Sequence, residues 1–145
     1  MNMTQQNFEP PRAVLCGSYT RDRDGLLWAY DELIATSCQV LSPRRMLFDN
    51  NAAFVRDAAE QGISPQAIED WHLSAIRQAD FVMLHAPDGY VGLSAAMEIG
   101  FATAQDCPVF SRTAPQDIAL RGLVKVVPSV YDALRAAHLR RMSQG

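Results

Sequence analysis

Phe81-Val82-Met83-Leu84-His85-Ala86 is a continuous apolar run broken by Pro87-Asp88-Gly89. Six residues of this kind, bounded by turn formers, read as a strand buried on both faces. Such a strand belongs inside a parallel sheet covered by helices, not in a half-wet antiparallel one. Just upstream, Ser64-Pro65 supplies a capping hydroxyl and then proline at the first helical position. Behind it Ile68, His72, Ala75, Ile76 and Ala79 share one helical face. Downstream, Ser94 is expected to cap a helix that runs to about Gln105.

Further out the alternation continues. Ala13-Val14-Leu15-Cys16, ended by Gly17-Ser18, reads as a first buried strand. Asp22 or Asp24 offers a cap, and Leu26, Tyr30, Leu33 and Ile34 follow at helical spacing. Cys38-Gln39-Val40-Leu41 is a second strand stopped by Pro43, and a helix is expected around 52–61. Pro108-Val109-Phe110-Ser111 and the weaker Val124-Lys125-Val126-Val127 are the fourth and fifth strands. A last helix is expected over 129–141, with Arg140 and Arg141 at its C-terminal dipole. Strands alternating with helices imply a parallel sheet covered on both faces. Five strands fit a flavodoxin-like α/β three-layer sandwich with strand order 2-1-3-4-5. Residues 1–11, polar and ending in Pro10-Pro11, read as a loose lead-in, and 12–145 as a single domain.

The 145 residues are 48% hydrophobic and 20% charged, a globular composition that excludes a disordered chain. Thirteen Lys and Arg against sixteen Asp and Glu give a net charge of −3. That balance argues against polymeric nucleic acid as a partner but not against a small anionic ligand. Cys16, Cys38 and Cys107 are far apart and odd in number, so they read as buried thiols in a reducing compartment. The N-terminal residues lack a basic start and an apolar core, and no apolar run approaches the ~18 residues of a membrane span. The expectation is a cytoplasmic protein with no membrane partner.

Ligands of such sheets bind at the carboxyl ends of the strands, near the point where strand order reverses. Two loops reach that edge. Gly17-Ser18-Tyr19-Thr20-Arg21-Asp22-Arg23 carries one glycine, hydroxyls and two arginines at a helix start, a setting that suits an anion or sugar hydroxyls. Taken alone it is an ordinary strand-to-helix turn, neither a P-loop nor GxGxxG. The second loop, Asp88-Gly89-Tyr90-Val91-Gly92-Leu93-Ser94, runs into Ala95-Ala96-Met97-Glu98-Ile99-Gly100-Phe101-Ala102. Met97, not an acid, holds the capping-box position three residues after Ser94. Glu98 instead shares a face with Ala95, Ile99 and Ala102, where a carboxylate costs desolvation unless something uses it. The plain alternative is a helix-edge glutamate paired with an arginine. His72 on its apolar face is either a satisfied core histidine or a catalyst. His85 either touches a ligand or packs, Asp80 caps or turns, and Trp28 and Trp71 read as core or subunit-contact residues. No HExxH, GxSxG or metal-ligand spacing occurs, so no metal is expected.

Residues 68–82, from Ile68-Glu69-Asp70-Trp71-His72 to Ala79-Asp80-Phe81-Val82, together with the loop 88–94 and Met97-Glu98-Ile99-Gly100-Phe101-Ala102, resemble the nucleoside 2-deoxyribosyltransferase family. The Cys16-Gly17-Ser18 turn resembles the related deoxynucleoside 5′-monophosphate N-glycosidases. The likeness covers about residues 13–127. It implies a flavodoxin-like enzyme that cleaves or transfers at the N-glycosidic bond of a (deoxy)nucleoside or its 5′-monophosphate. It also implies no cofactor and a homodimer or higher homo-oligomer. Glu98 would be the nucleophile that forms a covalent glycosyl-enzyme, as in retaining glycoside hydrolysis. Gly17, Ser18 and Tyr19 would lie beside the sugar or a 5′-phosphate, and Asp88, Gly92 and Ser94 would hold sugar hydroxyls or phosphate. Arg21 and Arg23 would add charge, by type and place. His72 stands where family members usually carry an aspartate that meets the departing base, and a histidine would protonate or hydrogen-bond that base. Leu15 stands where the transferases carry an aromatic.

Two other readings compete. A binding module of the same fold would hold a nucleotide or nucleotide-sugar without turnover, and His72 in place of the usual acid favours it. A receiver-like domain would need an acidic pair after the first strand and an aspartate ending the third. Leu15-Cys16-Gly17 and His85-Ala86-Pro87 stand there instead.

Overall fold

A computed structural model describes residues 9–18, 20–44 and 62–144. The chain runs β1 (Arg12–Gly17), α1 (Arg23–Ala35), β2 (Gln39–Ser42), α2 (Pro65–Gln78), β3 (Phe81–His85), a single 3₁₀ turn (Pro87–Gly89), α3 (Leu93–Ala104), β4 (Val109–Ser111), α4 (Ile118–Arg121), β5 (Val124–Val126) and α5 (Val130–Gln144). The five strands form one sheet in the order β2-β1-β3-β4-β5, with every pairing parallel. This is the α/β three-layer arrangement expected from the apolar runs. The expected helix at 52–61, most of the N-terminal lead-in and Tyr19 lie outside the described residues.

The inner strands β1, β3 and β4 carry continuous buried runs because each face of the sheet buries its own core, while the edge strands β2 and β5 are partly exposed. Ala13, Leu15, Phe81, Met83 and Phe110 point to one side, against Leu26, Ala29 and Leu33 of α1 and Val130, Ala133 and Ala137 of α5. Phe81 and Phe110 meet there edge-to-face, ring centroids 6.0 Å apart. Val14, Cys16, Val82, Leu84 and Val109 point to the other side, against Ile76 of α2 and Ala95, Ile99 and Ala102 of α3. The small residues of α3 let it sit close on the sheet. All three cysteines are buried free thiols, as expected.

Helix starts follow the sequence in most places. Asp22 Oδ1 accepts from Gly25 N at 3.1 Å, and Ser64 Oγ accepts from Ala67 N at 3.2 Å with Pro65 behind it. Ser94 is a correction. The N-cap of α3 is Gly92, the helix begins at Leu93, and no side chain caps it. The second strand also starts one residue later than expected, because Cys38 N closes the α1 turn onto Leu33 O. α5 continues past Arg141 to Gln144. Its arginines make specific pairs, Arg141 with Asp80 at 3.3 Å and Arg140 with Asp106 at 3.8 Å. Asp80 also accepts from Arg12 N at 2.8 Å, so it ties the start of β1 to the end of α5. Neither Trp28 nor Trp71 is a core residue, since each is 52% exposed. The faces of α1 and α2 that meet the sheet are filled by smaller side chains, and both indoles stand off them.

Candidate active site

The carboxyl ends of β1 and β2, the side of α2 and the start of α3 enclose a cleft of about 490 Å³. Its walls include Gly17, Ser18, Thr20, Ser42, Trp71 and Tyr90, and Glu69, His72 and Glu98 line it as well. Gly17 is there because β1 and β3 run close: a Cβ at that position would lie 2.8 Å from His85 O. Gly92, Leu93, Ser94 and Ala95 bring the uncapped N-terminus of α3 to the same cleft. The first N–H groups of a helix have no intrahelical partner and favour negative charge nearby.

Glu98 is the chemical centre. It lies in the second turn of α3, on the face with Ala95, Ile99 and Ala102, and only 5% of it is exposed. His72, 6% exposed, comes across from α2 and places Nε2 3.4 Å from Glu98 Oε1. The other ring nitrogen, Nδ1, is 2.6 Å from Ser42 Oγ. Burial alone would push the Glu98 carboxyl up. Hydrogen bonding and charge from His72, with further hydrogen bonds from Glu69 and Cys16, outweigh it and hold Glu98 below its ordinary value. The helix-edge glutamate paired with arginine is therefore not what is found. The partner is a histidine, inside the protein.

Glu69 was not singled out by its sequence position, yet it completes the group. It sits three residues before His72 on the same side of α2. Partial burial, then the charge of Glu98 and a hydrogen bond to it, push the Glu69 carboxyl up to about 7. Glu69 Oε1 is buried with no hydrogen-bond partner among the described residues. Two adjacent carboxyl groups are thus pushed in opposite directions, Glu98 down and Glu69 up. Cys16 is the other residue missed. Its Sγ lies 3.4 Å from His72 Nε2, and burial followed by the charge of Glu98 keeps the thiol well above its ordinary value.

The remaining expected residues divide. Gly17, Ser18, Gly92 and Ser94 join Glu98 and His72 around the cleft. Arg21 reaches it through Tyr90, with its guanidinium 4.2 Å over that ring, while its backbone N–H donates to Ser18 Oγ. Asp88 is not on the cleft wall. It is exposed in the 3₁₀ turn with φ 52°, and its carbonyl accepts from Gln116 Nε2. His85 faces the opposite side of the sheet and bonds Asp22 Oδ2 at 2.9 Å. That bond, with the one from Gly25 N, lowers the Asp22 pKa.

Fold and site together define a three-layer α/β protein with a buried, ionised carboxylate at the carboxyl edge of a parallel sheet. No family model and no curated protein matches the sequence. Solved structures do match. A CMP N-glycosidase from Clostridium botulinum, BcmB, superposes with a TM-score of 0.54 at 16% identity, over 89% of this chain and 98% of that one. A conserved protein from Enterococcus faecalis V583 superposes with a TM-score of 0.57, also at 16% identity, over 91% and 99%. At that identity the likeness establishes the fold. No helix among the described residues is long and apolar enough to cross a membrane.

Proposed function

We propose that this chain is a nucleoside 2-deoxyribosyltransferase-like enzyme that breaks the N-glycosidic bond of a (deoxy)nucleoside or its 5′-monophosphate, with Glu98 as nucleophile. The observation that carries this reading is the cluster on the cleft: Glu98, buried with Oε1 3.4 Å from His72 Nε2, and Glu69 beside it, with the Glu98 carboxyl held below its ordinary value and the Glu69 carboxyl pushed up. Retaining glycosidic chemistry needs such a pair. A Glu98 carboxylate oxygen attacks the anomeric carbon, the bond to the base breaks, and the Glu69 proton goes to the departing base. Water, giving its proton to the Glu69 carboxylate, then releases the sugar and regenerates Glu98; a second base in place of water gives transfer. Both ring nitrogens of His72 face protein partners, so we give the acid role to Glu69 and the orienting role to His72.

The other walls fit the same substrate. Ser18, Thr20 and Ser94 offer hydroxyls, and the start of α3 offers N–H groups to sugar hydroxyls or a 5′-phosphate. Trp71, half-exposed on the wall, offers a face on which a base stacks. Base–aromatic stacking is worth about 1–3 kcal/mol. Trp71→Ala is therefore expected to raise KM roughly ten-fold with kcat little changed, read by steady-state kinetics on the preferred substrate. A fall in kcat at constant KM would remove Trp71 from base recognition. The homo-oligomer implied by the resemblance belongs to this proposal too.

The direct test is product analysis by chromatography on a panel of ribo- and deoxyribonucleosides and their 5′-monophosphates, with and without free adenine. Released or exchanged base supports the reading, and the acceptor requirement separates hydrolase from transferase. Ligand-induced thermal stabilisation without product would instead favour the binding module. The acid assignment has its own signature. Activity requires protonated Glu69, so kcat/KM should fall as pH rises through about 7. Glu69→Gln should lower the plateau and erase that limb. A limb that survives in the variant would give the proton to another group.

A further inference from the structure

We propose that Cys16, His72 and Glu98 form a binding site for one thiophilic divalent metal ion, zinc by its chemistry, at the floor of the cleft. The proposal goes beyond the glycosidic reading and does not depend on it. Cys16 Sγ, the His72 ring nitrogen and a Glu98 carboxylate oxygen all lie within 4.8 Å of one another, and all three residues are buried. Two of the separations are 3.4 Å, Sγ to Nε2 and Nε2 to Oε1. A charge-assisted N–H···O bond closes to about 2.7–2.9 Å, and the buried His72–Glu98 pair at 3.4 Å is longer than that optimum. Zinc at about 2.0–2.2 Å from N and O and about 2.3 Å from S, with tetrahedral angles, sets its ligands roughly 3.3–3.6 Å apart. Both 3.4 Å separations fall in that range, so the three donors can close on one ion with little movement.

The surroundings agree. Ser42 Oγ lies 2.6 Å from His72 Nδ1, and in the tautomer whose Nδ1–H it accepts, the Nε2 lone pair faces Cys16 and Glu98, as metal binding requires. A ligating histidine is commonly held by such a bond on its other nitrogen. Glu69, with Oε1 buried and without a partner among the described residues, stands beside Glu98 as a fourth donor, and the cleft offers water as another. The cleft is also the entry path, since His72 and Glu98 line it. On binding, metal–sulfur, metal–nitrogen and metal–oxygen bonds form and the Cys16 thiol proton leaves to solvent. The resulting thiolate and carboxylate balance the divalent charge. Thiolate with imidazole selects zinc or cobalt over magnesium and calcium, which want oxygen donors. No spacing motif announces the site, because Cys16 and His72 are 56 residues apart and meet only through the sheet. A metal there would occupy the Glu98 oxygen assigned to attack, so the metal-bound and turnover-competent forms exclude each other.

The test is cobalt and zinc titration of the full chain, prepared metal-free. Expected are the intense visible bands of tetrahedral cobalt with a near-ultraviolet thiolate-to-cobalt band, and one zinc per chain in competition with a chromophoric chelator. Cys16→Ser should abolish the thiolate band and weaken zinc at least a hundred-fold. Ser42→Ala, at a partly buried position outside the two cores, should keep the band and weaken zinc about 10–100-fold. Circular dichroism confirms that each variant is folded. The weak octahedral spectrum of aqueous cobalt over folded wild-type protein, or zinc held equally by wild type and Cys16→Ser, would overturn the proposal. None of these readouts involves nucleotide turnover, so the failure of either reading leaves the other standing.

Discussion

Glu98→Gln is expected to lower kcat/KM for base release by about 10³-fold or more, the scale on which loss of a covalent nucleophile acts. Glutamine keeps the shape and still meets His72, but it cannot form the glycosyl ester. Glu98→Ala tests the same group with the side chain gone, and both should accumulate no covalent adduct by intact mass. The amide has a second, independent consequence. The Glu98 charge is, after burial, the largest influence raising the Glu69 carboxyl. With that charge removed, Glu69 should titrate nearer its ordinary value, visible as a downward shift of its carboxyl resonance midpoint. Turnover within ten-fold of wild type in Glu98→Gln would end the nucleophile assignment, whatever Glu69 does.

His72→Ala should be the most destabilising single change at the site. It removes one partner of a buried pair and leaves the other uncompensated, a loss of about 3–5 kcal/mol. The pH dependence gives a sharper reading. In the native protein the folded Glu98 pKa lies below its unfolded value. Its stabilisation is therefore present above the unfolded pKa and is lost as pH falls through the folded one. Without His72 the burial effect dominates, the folded pKa rises above the unfolded one, and the sign reverses: stability is lost as pH rises. The difference between wild type and His72→Ala in urea unfolding should widen from mildly acidic to neutral pH. A difference that stays constant across that range would mean the histidine contributes packing but not charge compensation. His72→Gln, which retains a donor and more volume, should recover part of the loss.

The sheet was legible because burial on both faces leaves a trace in the three inner strands, short apolar runs without alternation, with two weaker edge runs carrying Gln39 and Lys125, all separated by caps and turn formers. Glu98 was legible for a related reason, as a charge among alanines and isoleucine on a face that must touch the sheet. Glu69 carried no such mark. On an amphipathic helix it reads as one more solvated acid, and only the approach of α3 half-buries it. Cys16 was hidden in the opposite way, since a cysteine at the end of an apolar run looks like core and is core; its nearness to His72 and Glu98 exists only in three dimensions. Asp88 lies off the cleft wall for a local reason, since it sits in a tight 3₁₀ turn with positive φ. Of the two readings of the tryptophans, the core one drops out because large apolar side chains are read as buried by default, whereas these two stand half-exposed.

The three shielded thiols also make this chain a reporter on its own opening. Cys38 belongs to the core beneath α1 and α5, while Cys16 and Cys107 belong to the one beneath α2 and α3. A thiol reagent modifies each only when its layer parts from the sheet. Timed alkylation, with the modified cysteine located by mass spectrometry, would thus resolve whether the two helical layers detach together or one at a time. Occupation of the cleft should delay modification of Cys16 most.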